Sequence, residues 1–323
     1  MYDKGMLKST SFNTPVICIG NITVGGTGKT PHTEYAASLL KERFRTAVMS
    51  RGYGRHTKGF IMSDAHSDSG LIGDEPLQIK LRFPDLDVAV SENRAVGISR
   101  LIELCSPDVI LLDDAYQHRR VTPSLNILLA NWHRNIMDDA MLPAGRMRES
   151  AAARRRAQII IVTKCPCDLS SQEADSLAAT LRTDSTQQVF FTTLQYGTPY
   201  LLGNREQTAT LPQGPILAVT GIASPQLMEA YLKSQGHDVT LLSYPDHYRY
   251  SKDDISTIQA RLQALGDQAS IVTTAKDAAR LIDLELDPEL AGRIYVLPVG
   301  VKFMRDKEAF DNTLIKHVES FKK

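Results

Sequence analysis

Residues 15–42 read PVICIGNITVGGTGKTPHTEYAASLLKE. The apolar run at 15–20 predicts a buried strand, GGTGKT at 25–30 a glycine-rich turn, and the stretch at 31–43 a helix. Gly25, Gly26, Thr27 and Gly28 form a loop whose backbone N–H groups are free to wrap phosphate oxygens. The N-terminus of the following helix adds the positive end of its dipole. Lys29 would reach the β- and γ-phosphates, and the Thr30 hydroxyl would face Mg²⁺. Pro31 fits the first helical turn, where its missing N–H costs nothing. The full phosphate-loop pattern GxxxxGK[ST] asks for glycine at position 23, and this chain has Thr23. Strand, glycine turn, Lys-Thr and helix in this order mark a nucleotide-binding protein.

Outward from this segment, short β-rich runs alternate with helical stretches. Strands are predicted at 15–20, 45–50, 87–90, 108–112, 125–130, 158–163 and 187–194, with helices near 31–43, 74–82, 92–105, 149–156 and 171–182. That rhythm predicts an α/β fold, a phosphate-loop NTPase-like parallel sheet with helices on both faces. Near Tyr196 the pattern gives way to a turn-rich stretch that reads as a linker through 207. A second set follows, with strands at 215–220, 238–242, 270–273 and 294–298 and helices near 224–235 and 252–265, and a terminal helix near 306–321 is expected to pack back on one domain or the other. Two domains are expected: a nucleotide-binding kinase domain over 1–195 and a smaller α/β domain over 196–323 that closes over the cleft.

Composition narrows the classes. A chain of 323 residues has ample length for two domains with cores of their own. Lys+Arg and Asp+Glu balance at 37 each, so no global field draws the chain to nucleic acid. Four cysteines, two of them in Cys165-Pro166-Cys167, form neither a disulfide framework nor a spaced metal quartet, and a reducing cytosol is expected. The longest apolar runs, such as 109–112 and 159–162, are far shorter than the roughly 20 residues that span a bilayer.

The second element of the nucleotide site is PDVILLDD at 107–114. A buried strand ending in two carboxylates resembles a Walker B strand and brings Asp113 or Asp114 to the Mg²⁺ at Thr30. Tyr116 stands where the DxxG of a GTPase has glycine, and in Thr163-Lys164-Cys165-Pro166 a proline replaces the guanine-reading Asp. ATP is therefore the expected nucleotide. Further polar residues gather at strand ends: Arg51, Tyr53 and Arg55 in SRGYGR, Asp74 and Glu75 opening a helix in GDEP, and Arg146, Arg148 and Glu149 in LPAGRMRE. His247 lies between an Asp and aromatics in YPDHYRY at 244–250. A nucleotide-dependent switch of the metallochaperone type would carry Lys where Val24 stands. A non-enzymatic nucleotide-binding scaffold would leave Asp74, His247 and the 146–149 loop without a task.

Seven motifs stand in one order: GNITVGGTGKTP at 20–31, SRGYGR at 50–55, GDEP at 73–76, DDAYQHR at 113–119, LPAGRMRE at 142–149, PDHYRY at 245–250 and KDAARL at 276–281. In these the chain resembles tetraacyldisaccharide 4′-kinase, the lipid A 4′-kinase family of Gram-negative bacteria, over nearly its whole length. Ala115 departs from the glycine common there. The resemblance implies phosphorylation, dependent on ATP and Mg²⁺, of the 4′-hydroxyl of a tetraacylated glucosamine disaccharide 1-phosphate, giving lipid IVA. It implies that Lys29 and Thr30 hold phosphates and metal, that Asp113 and Asp114 serve the Mg²⁺ shell, and that His118 lies beside them. Asp74 matches the family's catalytic base and His247 its partner across the domain cleft. Glu75, Arg148 and Glu149 match other active-site positions, and Tyr53 one near the lipid. Relatives usually carry an apolar N-terminal helix ahead of the phosphate-loop strand. For this chain the expectation is a cytoplasmic protein peripheral to the inner membrane, attached through apolar and basic residues around the cleft.

Overall fold

The computed structural model of the protein describes Tyr2, residues 7–284 and residues 286–321. From the phosphate-loop segment the chain runs β1 (Val16–Asn21), α1 (Lys29–Lys41), β2 (Thr46–Ser50), β3 (Ile61–Met62), α2 (Ser69–Ile72) and α3 (Asp74–Arg82). Next come β4 (Asp87–Val90), α4 (Arg94–Cys105), β5 (Val109–Asp113), β6 (Leu125–Asn131), β7 (Ile159–Thr163), α5 (Ser171–Leu181) and β8 (Gln188–Tyr196). The second set comprises β9 (Tyr200–Leu201), β10 (Asn204–Thr208), β11 (Ile216–Thr220), α6 (Pro225–Ser234), β12 (Val239–Ser243) and α7 (Lys252–Ala264). It continues with β13 (Ser270–Thr274), α8 (Ala275–Leu281), α9 (Pro288–Ala291) and β14 (Ile294–Leu297). Last are β15 (Val299–Phe303) and α10 (Lys307–Glu319).

The strands form two sheets, in the orders β15-β8-β7-β6-β1-β5-β2-β4-β3 and β10-β9-β14-β13-β11-β12. In the larger sheet β8 to β4 run parallel, and only the edge strands β15 and β3 are antiparallel. Helices cover both faces, so the strands are apolar at consecutive positions rather than alternating. Along β1, Val16 and Cys18 pack with Ile98, Leu101, Ala174 and Ala178 of α4 and α5. Ile17 and Ile19 point the other way, to Ala36, Leu40, Ile79 and Phe310 of α1, α3 and α10. Ile19 pairs with Asp113 and Asn131 with Thr163, so the strands end in polar residues along one edge. In open parallel sheets the ligand crevice lies beyond that carboxyl edge.

Three local expectations change. The stretch after Tyr196 is not a linker: Tyr200–Leu201 and Asn204–Thr208 pair as a hairpin on the edge of the smaller sheet. The run IYVLPVGVKF at 294–303 is split at Pro298, which lacks a ladder donor, into β14 of the smaller sheet and β15 of the larger. Residues 299–319 therefore lie with the first unit: the expected division at 195 puts them in the second, and of the two packings open to the terminal helix it takes the one on the larger sheet. The helix expected over 149–156 is a 3₁₀ segment at Ala151–Arg156, with Arg154 Nε donating to Leu181 O at 3.0 Å.

Candidate active site

The phosphate loop takes its shape from its glycines. Gly25 and Gly28 have φ of +98° and +81°, a region L side chains rarely adopt. Asn21, the last residue of β1, donates from Nδ2 to Thr27 Oγ1 at 2.8 Å. The LPAGRMRE segment lies alongside, with Val24 N donating to Arg146 O and Arg148 N to Ile22 O, at 2.8 and 2.7 Å. Behind the loop His32 Nδ1 meets Gly28 O at 2.7 Å, and its Nε2 meets Thr192 Oγ1 at 3.0 Å.

Asp113 and Asp114 are adjacent but differ in environment. Asp114, at φ +46°, lies 3.6 Å from Lys29 Nζ and accepts from Arg148 Nη2 at 3.0 Å. Burial works against its charge, but Lys29 and Arg148 outweigh it and hold the carboxyl below its ordinary range. Asp113 is fully buried; its Oδ1 accepts from Thr33 Oγ1 at 2.8 Å and its Oδ2 has no hydrogen-bond partner. Burial, Glu75 and Asp114 push Asp113 up to about 7. A buried, orphaned carboxylate oxygen beside further carboxylates fits a divalent cation. Among the described residues no three His, Cys, Asp or Glu side chains converge as a metal site. One or two carboxylates suit Mg²⁺, which draws its other ligands from phosphate and water.

A second cluster forms where α3 packs against α8. Gly73, at φ +92°, starts α3, and a Cβ there would lie 2.9 Å from Tyr53 O. This turn puts Asp74 and Glu75 in the first helical turn, where the dipole favours anions. Asp74, only 8% exposed, receives Arg280 Nε and His247 Nδ1 on Oδ2, each at 3.1 Å, and Arg280 Nη2 bonds the same oxygen. Burial raises the Asp74 carboxyl, but His247, Arg280 and Lys276 together hold it far below the usual range. Asp277 fixes Arg280 at 3.0 Å while accepting from Thr220, Gly221 N, Thr274 and Tyr250. Lys276 Nζ is 3.6 Å from Glu75 Oε1 and 3.0 Å from His247 Nε2. Glu75, next to Asp74 in the chain, also raises Asp113 through its charge.

The other expected residues are placed as follows. Tyr53, 64% exposed in its glycine-flanked loop, sets its ring edge-on to His247 with centroids 5.4 Å apart. Glu149 pairs with Arg156 at 2.6 Å and accepts from Gln117 Nε2 at 3.1 Å, which braces the LPAGRMRE segment. Among the described residues His118 is turned to α4 rather than bonded to the carboxylate pair: its Nε2 accepts the Arg94 N–H at 3.3 Å, at the start of that helix. Burial, with Arg94, Arg120 and Arg51, lowers His118 to about 4. Reasoning from sequence gave no task to Lys276 and Arg280, although both stand in the KDAARL motif. It also passed over Arg134 and Lys164 as neighbours of the loop. A methyl group on Gly25 would lie 3.7 Å from Arg134 Nη1, and one on Gly26 3.8 Å from Lys164 Nζ.

Comparison with known proteins agrees with this geometry. The family model described as tetraacyldisaccharide-1-P 4′-kinase (LpxK) matches residues 1–319. The tetraacyldisaccharide 4′-kinase of Bacteroides fragilis is 46% identical over 330 residues, covering 98% of this chain and 88% of that protein. That of Flavobacterium johnsoniae is 40% identical over 321 residues, covering 99% and 92%. The crystal structure of "apo" form LpxK from Aquifex aeolicus in complex with ATP superimposes with a TM-score of 0.76 at 29% identity, covering 98% of this chain and 92% of that one.

Proposed function

The chain belongs to the tetraacyldisaccharide-1-P 4′-kinase family, from which we infer that it transfers the γ-phosphoryl group of ATP to the 4′-hydroxyl of a tetraacyldisaccharide 1-phosphate, in lipid A biosynthesis. The observation that carries the mechanism is the buried Asp74 carboxylate, met by His247 and Arg280 of the second unit, on a chain that also carries the phosphate loop and its acidic strand end. The loop N–H groups and Lys29 bind the β- and γ-phosphates and neutralise charge that gathers there during transfer. Arg148 and Lys29 keep Asp114 ionised and fixed. Thr30, Asp113 and Asp114 would hold Mg²⁺, Asp113 through its orphaned Oδ2. When bound, Mg²⁺ supplies positive charge to the phosphate oxygens.

Asp74 is the acceptor for the hydroxyl proton. The hydroxyl oxygen bonds to the γ-phosphorus as the bond to the ADP oxygen breaks, and the released proton passes to the Asp74 carboxylate. His247 and Arg280 reach Asp74 from the smaller sheet's unit, so the base is assembled only when the two units are together. The same closure excludes water, which limits ATP hydrolysis. Labelled ATP, Mg²⁺ and detergent-dispersed tetraacyldisaccharide 1-phosphate test the reading. A labelled bis-phosphorylated lipid is expected from the unaltered chain and none from Lys29→Ala; nucleotide turnover without lipid product would sink it.

The substrate is acylated, and we place the enzyme peripherally on the cytoplasmic face of the inner membrane. Among the described residues no helix is long and apolar enough to cross a membrane. Support comes from Val24, Met141 and Leu142, which are exposed beside the phosphate loop, and from Tyr53 at the base cluster. In vesicle flotation the protein should rise with anionic vesicles; retention in the soluble fraction with and without substrate would count against this.

A further inference from the structure

We propose that Lys276 is a positioning residue that fixes His247 as the neutral tautomer protonated on Nδ1, and so assigns proton acceptance to Asp74 Oδ1. The inference rests on the kinase reading and deepens it. The ring nitrogens of His247 hydrogen-bond two groups of opposite character, with Asp246 Oδ2 farther from Nε2 at 4.0 Å. Lys276 Nζ lies 3.0 Å from His247 Nε2, and an ammonium has donors only, so Nε2 must accept. Asp74 Oδ2 lies 3.1 Å from His247 Nδ1, and an ionised carboxylate has acceptors only, so Nδ1 must donate. Asp74 requires the proton on Nδ1, and Lys276 alone excludes a second one on Nε2.

The arrangement is held on every side. Lys276 sits at the start of α8, with Glu75 Oε1 at 3.6 Å and Asp246 Oδ1 at 3.5 Å. These two carboxylates draw the ammonium to the imidazole edge. His247 adopts φ +60°, a left-handed backbone that a non-glycine residue keeps only when its surroundings enforce it. Asp246 Oδ1 accepts the His247 N–H at 3.0 Å, and the Tyr53 ring closes the remaining face.

The consequence concerns which atom receives the proton. With both ring nitrogens engaged, His247 has no lone pair to offer the hydroxyl. Asp74 Oδ2 is occupied by His247 and by two guanidinium nitrogens of Arg280. Oδ1 accepts only the Glu75 N–H, at 3.0 Å, among the described residues, and keeps a lone pair. The hydroxyl O–H bond breaks, its electron pair forms the new O–P bond, the P–O bond to ADP breaks towards ADP, and the proton rests on Oδ1.

The test uses the full chain labelled with ¹⁵N-histidine and long-range ¹H–¹⁵N correlation of the imidazoles, with His247 assigned through His247→Gln. The unaltered chain should show a protonated Nδ1 and a bare Nε2; a protonated Nε2 overturns the proposal without any variant at Lys276. Lys276→Met should lose that single pattern and lower kcat about tenfold or more, with KM for ATP and lipid held within about twofold. Lys276→Arg, which still presents only donors, should restore the tautomer and most of kcat. A Lys276→Met protein that keeps the Nδ1–H pattern and a kcat within about twofold of normal overturns the proposal. An unaltered chain that forms no bis-phosphorylated lipid overturns the transfer reading, and with it the proton acceptance at Oδ1. The spectrum needs no turnover, so the two failures are distinguishable.

Discussion

Asp74 stays ionised at any physiological pH because Arg280 and His247 both face its Oδ2. A base so stabilised is weak in the ground state and gains its proton only as the new O–P bond forms. Asp74→Asn should therefore lower kcat by roughly 10²–10⁴ with a small effect on KM for ATP, measured by lipid transfer alongside a melting curve. A second residue-scale outcome concerns His32, which burial lowers from 6.5 to about 4 while its ring bridges Gly28 and Thr192. Between those values the unfolded chain binds more protons than the folded one, so stability rises with pH. The His32 contribution is complete above 6.5 and lost as pH falls towards 4, a change of up to about 3 kcal/mol. Denaturation at several pH values should show that slope, and His32→Gln should flatten it. The phosphate-loop residues were legible because backbone geometry and chemistry coincide within a few consecutive positions. The role of Lys276 was not, because a lysine in a helical first turn looks the same whether it faces water or an imidazole.

At the scale of elements, most strands and helices follow from apolar periodicity and punctuation by Gly, Pro and caps. The exceptions share a cause. Two-residue strands such as β3 and β9 have too little length for a pattern, and β15 contains Gly300 in a run continuous with β14. Their identity comes from the sheet edge that receives them. Antiparallel β15 on β8, followed by α10 over α1, seals one face of the larger sheet. Phe310 of α10 is 2% exposed and lies against Phe190, Phe303 and Tyr35, with centroids 5.2, 4.8 and 6.1 Å away. Phe310→Ala should cost about 3–5 kcal/mol in urea denaturation, since the aromatic layer cannot collapse into the space. A loss below about 1 kcal/mol would mean that α10 contributes little to the fold.

At the scale of the molecule, polar contacts among the described residues join the two sheets' units, the His247–Asp74 and Lys276–Glu75 contacts of the base cluster among them. Ser69 N donates to Asp283 Oδ2 at 3.0 Å, Arg249 reaches His56 and Gly54 O, and Arg280 reaches Asp74. The Asp74–Arg280 pair is the one buried on both sides. Removing one partner of a buried pair strands the other's charge. Arg280→Met should destabilise the chain by roughly 3–5 kcal/mol, while ATP binding at the phosphate loop stays close to normal. Calorimetry and nucleotide titration would separate these effects; a fall in ATP affinity equal to that of Lys29→Ala would show that the units do not behave as two sites.

The sequence by itself determined the nucleotide loop, the acidic strand end and the parallel α/β plan, because each rests on contiguous residues and short-range periodicity. The pairing of His247 with Asp74 is expected from motif resemblance, and tertiary structure gave it its geometry; tertiary structure alone decided that Arg280 and Lys276 complete the cluster and that residues 299–319 return to the larger sheet. The physical reason is that a side chain's protonation and reactivity depend on the charges and donors around it. Those neighbours arrive from distant segments, brought together when apolar surfaces pack.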